Sequence, residues 1–231
     1  MKGAFFLSRT CDEKNLKKMA MLRTFIDGTE SFLLEHGEEA LSVRKLCQAL
    51  HYNSTLLYYY FETLDHLLFY VIVKKTTPLF HFLDEIQAAS LSPWDAVIKA
   101  VEAFVYEVFK NPHDYYRLFF GPCSIRLTET IRILNAAYCE REQVDVRALP
   151  FYRLPDGEYA MPHVDRCVEG GYIGIHFSDR ITEMFEIFLK GMLAKSLASP
   201  SEDTCREAAR RTYEYTRIFI ERHRTPVGLP L

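Results

Sequence analysis

No stretch of this chain approaches the ~18 consecutive uncharged apolar residues that a membrane-spanning helix needs, so no membrane partner is expected. The apolar start Ala4-Phe5-Phe6-Leu7 is shorter than the about 7–15 residues of a secretory signal core, and no small-residue cleavage site follows it. A cytoplasmic location is therefore the expectation. The cysteines (Cys11, Cys47, Cys123, Cys139, Cys167 and Cys205) contain no CxxC pair. Scattered in this way they suggest neither a disulfide framework nor a tight zinc motif, and they read as reduced thiols that mostly fill core. Strand-like alternation is nearly missing, as are internal repeats and low-complexity tracts. A surplus of positive charge is lacking too, since the net charge is −3. Residues 1–75 carry ten Lys/Arg against nine Asp/Glu, whereas residues 76–231 carry 18 against 22. The N-terminal part is thus slightly the less acidic, which permits a nucleic-acid partner without demanding one.

What the chain does hold is helix after helix, in 231 residues that are ample for a buried core. A first helix is predicted over about 15–35, with Leu22, Phe25, Ile26, Thr29, Phe32 and Leu33 recurring at three- and four-residue steps and Gly37 closing it. Short helices follow over about 42–50 and 54–61, separated by His51-Tyr52-Asn53, with Asn53 as an N-cap. A fourth starts near Thr63 and is expected to end or kink at Pro78. Ser92-Pro93-Trp94-Asp95 and Asn111-Pro112-His113-Asp114 each open a further helix, and Gly121-Pro122 stops the second of these. Another helix is predicted over about 124–148. Residues 149–177, with their prolines and glycines, read as a long loop with room for one short irregular turn of helix. Two long helices starting at Ser178-Asp179 and Ser201-Glu202-Asp203 finish the chain.

Two short helices joined by three residues make a helix-turn-helix, whose second member has the dimensions to lie in a major groove. The chemistry of the positions agrees. Ser42, with Val43 behind it, opens the first short helix, where a hydroxyl and unpaired backbone N–H groups suit a phosphate. Arg44 suits a phosphate or the two acceptors of a guanine edge, and Lys45 points near the same backbone. Ser54, Thr55 and Leu56 open the second helix, where base edges are met and Leu56 suits a thymine methyl. Tyr58, Tyr59 and Tyr60 add hydroxyls, while Cys47, Leu50, Leu57 and Phe61 are assigned to the core.

The run Leu41-Ser42-Val43-Arg44-Lys45-Leu46-Cys47-Gln48-Ala49-Leu50, then Thr55-Leu56-Leu57-Tyr58-Tyr59-Tyr60-Phe61, then Leu67-Leu68, resembles the TetR family of transcriptional regulators. The resemblance extends from Phe25 to about Tyr70. It implies an all-α chain with a three-helix helix-turn-helix DNA-binding domain over 1–70 and a helical effector-binding and dimerisation domain over 71–231. It implies a homodimer on a palindromic double-stranded DNA operator, a repressor rather than an enzyme, and release by a small molecule. It also implies a phosphate contact for Tyr58. Two positions depart from the family pattern. His51 stands at the usual turn glycine, and Leu64 stands at the usual basic residue. No Lys or Arg occurs between Lys45 and Lys74, so phosphate contacts must rest on hydroxyls, backbone amides and the N-terminal Lys14, Lys17 and Lys18.

For the effector, Phe109, Tyr116, Phe120, Tyr138, His176 and Phe177 are the candidate lining of a site for a small apolar or aromatic molecule. For the dimer, a seam is expected along Ile181, Phe185, Phe188 and Met192, and along Ala208, Thr212, Tyr215 and Phe219, with Gly191 permitting close approach. No cofactor or resident metal is expected. Two rival readings stand beside this one: a helical adaptor that binds protein, and a metal or redox sensor built from His163, Asp165, Cys167 and His176 or from Cys123, Cys139 and Cys167.

Overall fold

A computed structural model describes residues 4–89, 91–138 and 149–225. It is all-α apart from one two-stranded hairpin. The helices are α1 (Ala4–His36), α2 (Val43–Ala49), α3 (Ser54–Tyr60), α4 (Leu64–Ala88), α5 (Pro93–Val108), α6 (Pro112–Phe120), α7 (Leu127–Tyr138), α8 (Pro162–Glu169), α9 (Ser178–Ala198) and α10 (Glu202–Arg222). Strands β1 (Tyr152–Arg153) and β2 (Tyr159–Ala160) lie between α7 and α8. The described chain forms two compact units, one from residues up to 75 with 129–138, the other from 76–128 with 149–225.

In the first unit α1, α2 and α3 enclose a small aromatic core. Phe25, Ile26, Leu46, Leu57, Phe61 and Leu67 are fully buried. The Phe25 ring lies 5.5 Å from Tyr52 and 6.1 Å from Phe61, edge-on to the latter, an arrangement that aromatic quadrupoles favour. Gly28 marks where α1 meets the end of α2. A Cβ there would overlap Leu50 Cδ2, so glycine lets the Leu50 side chain seat against α1.

The second unit packs α10 against α5 and α9, α6 against α9, and α5 against α8. Its core is drawn from Val97, Val101, Phe104, Val105, Leu118, Phe119, Ile181, Phe185, Leu189 and Leu193. The end of α10 is tied down: the Thr225 amide donates to Tyr172 O at 2.8 Å, and the Arg224 guanidinium lies 4.5 Å over the Trp94 ring.

Four sequence expectations are corrected. Helix α1 begins at Ala4 rather than near Asn15. Helix α4 passes through Pro78 and continues to Ala88. Proline forfeits one backbone hydrogen bond, at a cost of ~3 kcal/mol in a helix interior, but Leu79, Phe80, Leu83 and Ile86 beyond it are all buried and offset that loss. Residues 149–177 are not one long loop. They hold the β1–β2 hairpin, helix α8 and a single 3-10 turn over Ile175–Phe177. Pro162 occupies the first turn of α8, and Met161, Val164 and Cys167 give that stretch an apolar side that is fully buried. The predicted helix over 124–148 is a 3-10 turn at Ser124–Arg126 followed by α7, and its remainder lies outside the described residues.

Candidate nucleic-acid interface

The local geometry of the helix-turn-helix follows from capping. Ser42, in an extended conformation, accepts from the Lys45 amide at 3.3 Å and starts α2. Asn53 Oδ1 accepts from the Leu56 amide at 2.8 Å and starts α3. Between them α2 ends in a Schellman turn. The Tyr52 amide donates to Cys47 O at 2.9 Å, the His51 amide donates to Gln48 O at 3.3 Å, and His51 sits at φ 58°. Here a histidine occupies the left-handed conformation that glycine most readily supplies.

The caps and the buried Leu57 fix which face of α3 looks outward. Ser54 and Thr55 are exposed, Tyr58 is 52% exposed and Tyr59 is 77% exposed. Leu56 and Tyr60 are half-buried, and the Tyr60 ring packs 6.2 Å from Phe25 and 5.0 Å from Tyr59. Burial, together with the neighbouring Tyr59, raises the Tyr60 hydroxyl above its ordinary pKa. On α2, Arg44 and Lys45 are exposed, while Ser42 and Val43 are half-buried. The Ser42 oxygen serves as cap acceptor, which leaves its O–H free to donate outward. All ten candidate positions therefore have atoms at the surface of one small unit, with Arg44 and Lys45 as the cations of α2.

Helix α4 has a cap that the sequence reading did not identify. Thr63 Oγ1 accepts from the His66 amide at 3.0 Å, and His66 Nδ1 accepts from the Glu62 amide at 3.3 Å. Thr63 is thus an N-cap, and the histidine three residues on takes the place of the usual Glu or Gln of a capping box, but its reciprocal bond goes to the amide one residue before the cap. That substitution hid it from a search for the usual residue types.

Corrections are needed for the other candidate sets. The effector candidates that belong to the second unit are not gathered into one lining. Tyr138 belongs to the first unit, where it bonds Asp27. In the second unit Tyr116 and Phe120 pair at 5.6 Å and join Phe151 and Tyr159. Phe109, 2% exposed, lies at the floor of an open groove of about 630 Å³ with Tyr106, Cys205 and Arg206. Exposed His176 and half-buried Phe177 stand near the chain end, where Phe177 meets His223 at 4.6 Å and Arg180 at 5.8 Å.

In the dimer set, Ile181, Phe185, Ala208 and Thr212 are enclosed within the protomer and are not available to a partner. Phe185 packs against Phe104 and Phe151, and the Thr212 hydroxyl donates back to Ala208 O. Phe188, Met192, Tyr215 and Phe219 do reach the surface, with Phe188 and Tyr215 5.7 Å apart. They flank exposed Ile187, Gly191 and Ile218. A three- and four-residue stripe locates an apolar face but cannot divide it between the protomer's own core and its rim.

Two residues of the sensor alternative are engaged elsewhere, and Cys139 lies outside the described residues. Asp165 accepts from the Ser178 hydroxyl at 2.8 Å. The Cys167 thiol lies 3.2 Å from Pro93 O, and burial pushes it up to about 12, the opposite of thiolate activation. Among the described residues no three His, Cys, Asp or Glu side chains are grouped to hold a metal ion.

No family model and no curated protein matches this chain. The fold does have solved counterparts. A TetR transcription regulator from Haloarcula marismortui superposes with a TM-score of 0.50 at 14% identity, over 88% of this chain and 98% of that one. RolR, crystallised with resorcinol, superposes with a TM-score of 0.47 at 14% identity, over 94% of this chain and all of its own. The architecture of the chain is accordingly the all-α, TetR-like fold.

Proposed function

We propose that the chain is a DNA-binding transcriptional regulator, a repressor that binds a palindromic operator as a homodimer and leaves it when a small aromatic effector binds. Residues 1–70 are the reader and residues 71–231 carry effector recognition and pairing. One observation carries the reading. Helix α3 is only seven residues long, is capped by Asn53 and anchored by buried Leu57, and turns Ser54, Thr55, Tyr58 and Tyr59 to solvent. A globular core has no use for that face, whereas a major groove does. Two such helices meet successive major grooves when they lie about 34 Å apart, so a shift of a few ångströms between protomers switches affinity. Release by an effector is a shift of population between those two spacings.

Helix α2 contributes positioning in this reading. The Ser42 hydroxyl and the α2 N-terminus take one phosphate, with Arg44 and Lys45 beside it. The solvent-facing strip of Ile187, Phe188, Gly191, Tyr215 and Ile218 is the pairing surface. Ile187 is 63% exposed and Ile218 58% exposed in the single chain, and a Cβ placed on Gly191 meets nothing within 4 Å, so a partner helix has room to approach.

The test is genomic footprinting with purified protein, followed by mobility-shift titration on the fragment recovered. Tyr58→Phe and Arg44→Ala are expected each to weaken binding about 5- to 100-fold, the range of one lost charge-assisted or base-edge hydrogen bond. Protein that protects no site, or variants that bind as the parent does, would sink the proposal.

A further inference from the structure

The hairpin that replaces the expected loop carries an arginine whose surroundings call for a ligand. Arg153 is half-buried on β1. Its Nε donates to Gly157 O at 3.0 Å and its Nη1 donates to Ser124 Oγ at 3.2 Å. Ser124 itself is fully buried, so the guanidinium is held from inside the protein. Its Cζ lies 5.7 Å from the centre of the Tyr159 ring. A second ring, Phe120, sits 5.9 Å from Tyr159 and carries the Lys190 ammonium 5.7 Å from its own centre. Among the described residues neither Arg153 nor Lys190 forms an ion pair with a carboxylate. Lys74 in the other unit, also set over an aromatic ring, has two. Arg153 thus retains Nη2 and part of Nη1 to give to an acceptor from outside.

We propose that Phe120, Arg153, Tyr159 and Lys190 form a binding site for a small aromatic monocarboxylate. The purpose of the site rests on the regulator reading above, because the ligand would be the effector; its chemistry does not. The planar fork of Arg153 matches the planar carboxylate, and a cation fixed by Ser124 and Gly157 loses little freedom on binding. The Phe120 ring, with Tyr116 5.6 Å away, supplies the apolar wall for a ring, backed by Tyr159, which stacks on Phe151 at 4.7 Å. Glu186 is the acid that bears on this place. Its charge adds to burial in pushing Tyr159 up to about 12, against the opposing pull of Arg153. An acid so placed tolerates one negative charge on a ligand better than two, which favours a carboxylate over a phosphate dianion.

Calorimetric titration of the full chain with benzoate, 2-naphthoate, benzyl alcohol and inorganic phosphate tests the site. One of the two aryl carboxylates is expected to bind at least tenfold tighter than benzyl alcohol and than phosphate. Arg153→Gln is expected to remove that difference, Arg153→Lys to restore part of it, and Lys190→Gln to weaken the carboxylate by a smaller factor. Helical circular dichroism confirms that each variant is folded; should Arg153→Gln unfold, Lys190→Gln and the ligand series on the parent decide. Carboxylate that binds no tighter than the alcohol, phosphate that competes equally, or a folded Arg153→Gln with unchanged affinity would overturn the assignment. A mobility shift without ligand separates the two readings. DNA binding without carboxylate binding removes this site alone, and carboxylate binding without DNA binding removes the regulator alone.

Discussion

The Tyr138 hydroxyl donates to Asp27 Oδ1 at 2.6 Å across 111 residues of chain. The Lys74 ammonium reaches the same oxygen at 2.7 Å and Glu30 Oε2 at 2.6 Å. It also lies 5.2 Å from the centre of the Tyr138 ring. Helices α1, α4 and α7 are thereby fastened at one polar point. Burial depresses the Lys74 ammonium, but its hydrogen bonds to Asp27 and Glu30 outweigh that and leave its pKa raised. Burial, with the bond to Asp27, raises the Tyr138 hydroxyl strongly.

This point makes stability depend on pH in a definite direction. Both groups hold their protons more tightly folded than unfolded. Their contribution is complete below the unfolded values of about 10 for Tyr and 10.4 for Lys, and it is lost as pH rises through the folded ones. Urea unfolding at pH 8 and pH 11 is expected to show a loss at the higher pH that is smaller in Tyr138→Phe and Lys74→Met. At pH 8 Lys74→Met costs about 1–3 kcal/mol, because Asp27 and Glu30 are left facing one another without a cation. Equal alkaline losses in parent and variants would refute the account.

His51 at φ 58° holds a conformation that suits glycine better. His51→Gly is expected to raise stability by roughly 0.5–1 kcal/mol, since relief of the left-handed strain exceeds the added freedom of the unfolded chain. Thermal unfolding measures it, and a lowered midpoint would contradict the strain.

The Gly28 contact predicts a coupled pair. Gly28→Val drives carbon into the Leu50 side chain, which already fills the space beside α1, and costs about 1–3 kcal/mol. Leu50→Ala removes the obstacle. The double variant is expected to be less destabilised than the sum of the two single changes, and strict additivity would show that the helices do not meet there.

For pairing, Ile187→Glu and Ile218→Glu are expected to yield monomers in sedimentation velocity with the fold kept, because both side chains face solvent in the single chain. Phe185→Ala is the contrast. It opens a hole in the protomer core and costs about 3–5 kcal/mol of stability before any effect on assembly. Dimers that survive both glutamates would place the pairing surface elsewhere.

On DNA, the empty interval between Lys45 and Lys74 predicts few released counterions. The slope of log affinity against log salt is expected to be shallower than about −6. A steeper slope would mean that cations outside α2 and α3 do most of the binding.

Much of this was legible along the chain because it depends on neighbours a few residues apart. Ser42, Asn53, Ser92 and Ser201 each accept the amide three residues on, as their residue types and positions announced. The outward face of α3 followed from Leu57 and Phe61 at a spacing of four, and the left-handed turn followed from His51 standing where glycine is usual.

Other features depend on residues far apart, and no local pattern reports them. Nothing near Asp27 tells that Tyr138 and Lys74 come to it, nor near Arg153 that Ser124 and Tyr159 hold it. Pro78 reads as a stop or a kink, and α4 runs on through it because the residues beyond it are buried. Residues 149–177 read as a loop because a two-residue strand and an eight-residue helix are too short to display a period. Half of the apolar stripe expected to face a partner along α9 and α10 lies inside the protomer, for a related reason. Helical periodicity measures how apolar a face is, whereas whether Phe185 or Ile187 meets a partner depends on which of them the protomer has already enclosed.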